Sequence, residues 1–195
     1  RYYEGTNVDI TARKKNEMAL KAVLEGTIAF VGRDYFPSLV KELAAVLGVR
    51  YAFIGELVPG QSGYIRSVAF EADGKAIAHE MYARLGGTPS ETVLAKGLCV
   101  YPENVQAIFP HAAELKRLQV VSYMGTPLYT RTQELLGLLA VMDDKPMEQG
   151  EPARSLLTIF AARAGAELER VRTDSALKES EERYRYLVEN SHELV

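Results

Sequence analysis

The sequence predicts an α+β domain, a central antiparallel sheet of about five to six strands with helices ahead of it and behind it. Three observations carry that expectation. Apolar residues recur at helical spacing from Met18 to residue 48. Short β-rich segments separated by turn residues occupy 50–142. A long segment free of Gly and Pro from Ala166 onward closes the chain. Helices grouped before and after a run of strands point to an α+β layout rather than to alternating βαβ units.

The elements follow in order. Tyr2–Ile10 reads as a strand feeding a helix that Thr11 caps, and an isolated strand needs a sheet to pair with. Leu20, Val23, Leu24, Thr27, Ile28 and Val31 recur at helical spacing, with Gly26 a weak point in that run. A second helix follows Asp34, with Pro37 in its first turn, an apolar face of Leu39, Val40, Leu43, Ala44 and Leu47, and Gly48 as its stop. Arg50–Leu57 and Tyr64–Glu71 alternate as strands do, with Pro59-Gly60 between them. Asp73-Gly74 is a hairpin turn, because both positions tolerate positive φ, and Ala76–Leu85 is the return strand.

Gly86-Gly87-Thr88-Pro89 breaks the sheet, and Ser90–Leu118 reads as short helices and loops, one helix starting at Ser90-Glu91 and ending at Gly97. Val120–Leu128 and Leu135–Met142 are two further strands, with a turn at Asp143-Asp144-Lys145-Pro146. After Gly150, with Pro152 in the first turn, a long helix carries the stripe Leu157, Phe160, Ala164, Leu168 and Val171. It outruns the usual ~10–14 residues of a globular helix, and the stripe suggests a second copy of the chain as its cover.

Composition excludes several function classes. With 195 residues, a formal net charge of -3 and no basic cluster, nucleic acid is not an expected partner. One cysteine, Cys99, rules out an internal disulfide framework or Cys-rich zinc site and suits a reducing, cytoplasmic setting. No apolar run approaches the ~18 residues of a membrane helix, so no membrane contact is expected of this chain. The start at Arg1 and the stop at Val195 both read as cuts in a longer protein.

Two runs carry a family resemblance: Ser122-Tyr123-Met124-Gly125-Thr126-Pro127-Leu128 and Leu136-Gly137-Leu138-Leu139-Ala140-Val141-Met142-Asp143. Their order and spacing resemble the paired C-terminal strands of a GAF domain, over roughly Glu17–Arg170. The ends look like PAS-domain pieces. Tyr2–Lys14, with Asp9-Ile10-Thr11, resembles the last PAS strand and its exit, and Glu179–Ser191 resembles the start of another, with His192 where a proline is usual. The implied organisation is the end of an upstream PAS domain at 1–15, a GAF domain at 16–170, a helical linker at 171–182 and the start of a second PAS domain at 183–195. Such a bacterial PAS–GAF–PAS chain resembles sensor histidine kinases of two-component systems or cyclic-dinucleotide enzymes. The implied role is a regulatory sensory module that binds a small ligand and relays the signal through its terminal helices as a homodimer. The alternative is a ligand-free dimerising spacer between PAS domains.

Candidate chemistry is sparse. Some GAF domains hold a bilin through cysteine, but Leu98 and Val100 flank Cys99 with no cation, so it is expected to be an unreactive residue of the sensory region. His79, His111 and His192 are isolated, without haem- or metal-ligand spacing. Asp143-Asp144 lacks the further oxygens of a calcium loop and reads as solvated or as capping backbone amides. No metal, haem or bilin is expected, and no catalytic set is visible. The resemblance places a pocket between the sheet and the irregular segment, which makes Phe53, Cys99, Tyr101, Phe109 and Tyr123 the candidate ligand-binding residues.

Overall fold

The computed structural model describes residues 35–77, 82–147 and 150–191. The opening strand, the first helix, the upstream PAS segment, His79 and His192 lie outside them. Helix α1 (Tyr35–Leu47) buries Tyr35, Phe36, Leu39, Val40, Leu43 and Ala44 on one face. It ends where Gly48 turns to φ +66° and Val49 N–H reaches back to the Ala44 carbonyl at 3.0 Å. A left-handed residue followed by that backward bond is the stop the sequence implied.

Strands β1 (Tyr51–Leu57), β2 (Tyr64–Ala72), β3 (Lys75–Ala76) and β4 (Tyr82–Arg84) come next. Helix α2 (Pro89–Lys96), strand β5 (Cys99–Tyr101) and helices α3 (Val105–Ile108) and α4 (Ala113–Arg117) follow. The chain closes with β6 (Ser122–Tyr129), β7 (Leu135–Asp143) and α5 (Glu151–Ser191). The sheet is antiparallel in the order β3-β2-β1-β7-β6-β5, with β4 also on β2. The fold is therefore the α+β arrangement expected.

Two details differ from the sequence reading. The single return strand over 76–85 is instead two short pieces, β3 and β4, both paired with β2. β5 was not expected at all. It has three residues between Gly97 and Pro102, too few to show a period of two. The hairpin itself is as expected: Asp73 has φ 52° and Gly74 φ 80°, and positive φ at both positions matches the twist of the flanking strands.

Alternation divides the sheet into two buried faces. Ala52, Ile54, Met124, Leu139 and Val141 face α1 and α5. Tyr51, Phe70, Tyr123, Leu138, Ala140 and Met142 face α2, α3 and α4. Strand β7 lies between β1 and β6 and is covered on both sides, which is why Leu136–Met142 reads as a continuous apolar run. Pro127 sits in β6 beyond Gly125, where β5 no longer pairs, so its missing N–H leaves no ladder bond unmade.

The stripe Leu157, Phe160, Ala164 and Leu168 lies in the first core, packed on this chain's own sheet. A second copy is therefore not what covers it. Gly165 lets the helix come close: a Cβ there would stand 2.6 Å from the Tyr129 carbonyl oxygen. Beyond Arg172 the helix leaves the domain, and every position from 173 to 188 is exposed.

Arg50 ties three segments together. Its Nε and Nη2 meet the two Asp73 oxygens at 2.6 and 2.9 Å, and its Nη1 meets Asp144 Oδ2 at 2.5 Å. Hydrogen bonds from Arg50 hold both carboxylates below the usual range. Asp143 behaves oppositely, because burial pushes its pKa up. It is buried rather than solvated, and it accepts the Asp144 amide at 2.8 Å. A depressed carboxylate stabilises the fold above its unfolded pKa of about 3.9, and that contribution is lost as pH falls through the folded value. Arg50→Met should therefore lower the thermal midpoint at pH 6, by an amount that shrinks as the pH is taken from 4 down to 2. Calorimetry across that range checks it; an equal loss at both ends contradicts it.

Candidate functional site

The second face of the sheet is where the candidate residues gather. Tyr123 is 1% exposed, and its hydroxyl stands 3.2 Å from Ser90 Oγ. Burial pushes its phenol well above the ordinary value. Tyr101 meets Phe109 edge-on, with ring centroids 5.1 Å apart, and Tyr123 at 6.3 Å. Gly125 makes room for this: a Cβ there would stand 2.9 Å from the Tyr123 ring and 3.0 Å from Val93. Cys99, on the same short strand as Tyr101, is half-buried, and its thiol donates to the Gly97 carbonyl at 3.4 Å. Phe53 packs against the same core from β1, with β7 and β6 lying between it and β5.

Three of the five candidates thus touch ring to ring, while Phe53 stands apart. Among the described residues no three His, Cys, Asp or Glu side chains are grouped to hold a metal ion. His111 is exposed on the loop before α4.

An open cleft of about 430 Å³ runs along α2, between the start of β2 and the end of β4. Ser62, Tyr64, Arg84, Leu85, Glu91 and Leu94 line it, with Gly63, Gly86 and Ala95. Local hydrogen bonds fix its rim. Leu85 N–H donates to the Gly63 carbonyl at 2.9 Å. Thr88 caps α2: its hydroxyl donates to the Leu85 carbonyl at 2.6 Å and accepts the Glu91 amide at 3.4 Å. Glu91 Oε2 in turn accepts the Gly87 amide at 2.9 Å. The sequence reading started this helix at Ser90; its cap is Thr88, with Pro89 in the first turn. Thr88-Pro89-Ser90-Glu91 is the spacing of a capping box, the signal that could have located the rim.

A second feature sits where α5 leaves the sheet. Glu56, 5% exposed on β1, accepts Arg66 Nη2 and Arg172 Nε, each at 2.5 Å. Arg172 Nη2 also donates to the Leu57 carbonyl at 3.0 Å and the Leu136 carbonyl at 3.5 Å. One helix residue is thereby pinned to β1 and β7 together, at the last point before the helix becomes fully exposed.

Comparison with known proteins agrees with this architecture. The family model described as GAF domain matches residues 33–168. The GAF domain of a phosphoenolpyruvate-protein phosphotransferase from Coxiella burnetii superposes with a TM-score of 0.68 at 16% identity, covering 85% of this chain and 98% of that one. The corresponding domain from Acinetobacter gives 0.62 at 14% identity, covering 87% and 99%. The chromophore-binding domain of Stigmatella aurantiaca phytochrome P1 gives 0.59 at 13% identity, and the match spans 84% of this chain but 62% of that one. Identities this low speak for the fold alone. No curated protein sequence matches significantly.

Proposed function

The chain belongs to the GAF domain family, and from that premise we propose that it is a ligand-responsive regulatory module relaying its signal through α5 to a downstream output domain. The observation that carries this reading is the division of α5. Its 41 residues span about 62 Å at ~1.5 Å per residue. Its first half is buried against the sheet, and its second half projects from it. A shift of the sheet or of the helices over it is then passed to the projecting half, because packed interfaces hold discrete arrangements.

The same proposal makes the protein a homodimer. Leu177, Tyr184 and Val188 are exposed and fall on one side of the projecting helix. They, rather than the buried stripe, are the surface for a second copy. The helix runs unbroken through 171–182, the interval read as a linker between GAF and PAS domains. We assign the parent to the cytoplasmic sensors of bacteria, of histidine-kinase or cyclic-dinucleotide type. Among the described residues no helix is long and apolar enough to cross a membrane.

One observation favours the ligand-free spacer as a second reading, namely that Tyr101 packs its ring against both Phe109 and Tyr123. Native mass spectrometry of the purified protein separates the two. A dimer carrying a small-molecule adduct is the expected result. A dimer without one favours the spacer, and a bare monomer at high micromolar concentration contradicts both.

A further inference from the structure

We propose that the cleft between β4 and α2 binds a small zwitterion, a free α-amino acid with an apolar side chain, held between Arg84 and Glu91. The inference rests on the sensory reading above and names the ligand class. Both charges are available. Arg84 is exposed, and among the described residues no carboxylate pairs with it. Glu91 is exposed, and among the described residues its carboxylate accepts only the Gly87 amide, which leaves its charge unneutralised.

The pair of charges decides the chemistry. A ligand that is only anionic would gain from Arg84 and be repelled by Glu91, and a cation would meet the reverse. A phosphate ester would set a double negative charge against one guanidinium and one carboxylate. A molecule with one carboxylate and one ammonium satisfies both. Between them the wall is apolar: Leu85 is 7% exposed, Leu94 is half-buried, and the Tyr64 ring is 38% exposed beside them. A volume of about 430 Å³ falls at the small end of ligand pockets, which run from about 300 to 1,000 Å³.

The test is a ¹H–¹⁵N NMR titration with L-leucine, 4-methylpentanoate and 3-methylbutylamine, which share the isobutyl side chain and differ in the charged groups they carry. Leucine should shift the amides of Gly63, Gly86 and Leu94, with the single-charge analogues at least tenfold weaker. Arg84→Gln and Glu91→Gln should each weaken leucine about tenfold or more. Glu91→Gln keeps an oxygen for the Gly87 amide, so the rim is preserved. Silence towards leucine, shifts confined to other residues, or equal binding by both variants overturns the inference. A different adduct in the native mass spectrum would then leave the sensory reading standing, whereas a bare protein would remove both.

Discussion

Alanine at Gly137 should cost about 3 kcal/mol or more, which for a domain of this size lowers the thermal midpoint by roughly 10 °C or more. Gly137 pairs with Glu56 on one side and with Leu128 on the other, in the centre of the sheet. Its methyl group would overlap the Gly55 carbonyl oxygen and stand 2.9 Å from Glu56 Cα. Both obstacles are backbone, so no rotamer change relieves them. Two central strands would have to separate, and with them the ladder that positions Glu56. Far-UV circular dichroism and a denaturant titration check this. A Gly137→Ala protein within 1 kcal/mol of the parent contradicts the close strand approach.

Glu56→Ala has the next largest effect. The carboxylate is buried, and its removal takes away the anion that joins Arg66 on β2 to Arg172 on α5. Truncating one partner of a buried pair costs about 3–5 kcal/mol, but Arg66 and Arg172 are about one-third exposed and water recovers part of that. A loss of roughly 2–3 kcal/mol is expected, which for a domain of this size lowers the thermal midpoint by about 5–10 °C. Calorimetry reads it directly. A midpoint within 2 °C of the parent contradicts the assignment of this cluster as a structural anchor.

What the sequence disclosed follows from the strength of each local signal. Helix α1 and strand β7 were legible because Leu39, Val40 and Leu43 repeat at helical spacing and Leu136–Met142 is apolar throughout. The Asp73-Gly74 turn was legible because few dipeptides accept positive φ twice. β5 was not, since three residues have no period. The alternation of Arg50–Leu57 puts Glu56 on the same face as Ala52 and Ile54 but does not say what would pair with it. Its burial depends on Arg172, 116 positions away, and no local pattern encodes that pairing. Arg84 and Glu91 likewise look like surface charges until β4 and α2 bring them to one cleft. Residue type alone could not say that Tyr123 packs into the core while Phe53, Cys99, Tyr101 and Phe109 stand partly buried around it.

The relay reading depends on α5 being joined to the sheet at Arg172, and hydrogen–deuterium exchange on Arg172→Met tests that junction most directly. Methionine keeps the length of the stem and removes the contacts to Glu56, Leu57 and Leu136, while Arg66 still neutralises Glu56. The account predicts faster exchange along α5 from Glu169 onward, with β1, β7 and the buried half of the helix unchanged. Exchange in α5 identical to that of the parent, or a uniform rise across the whole domain, would contradict it.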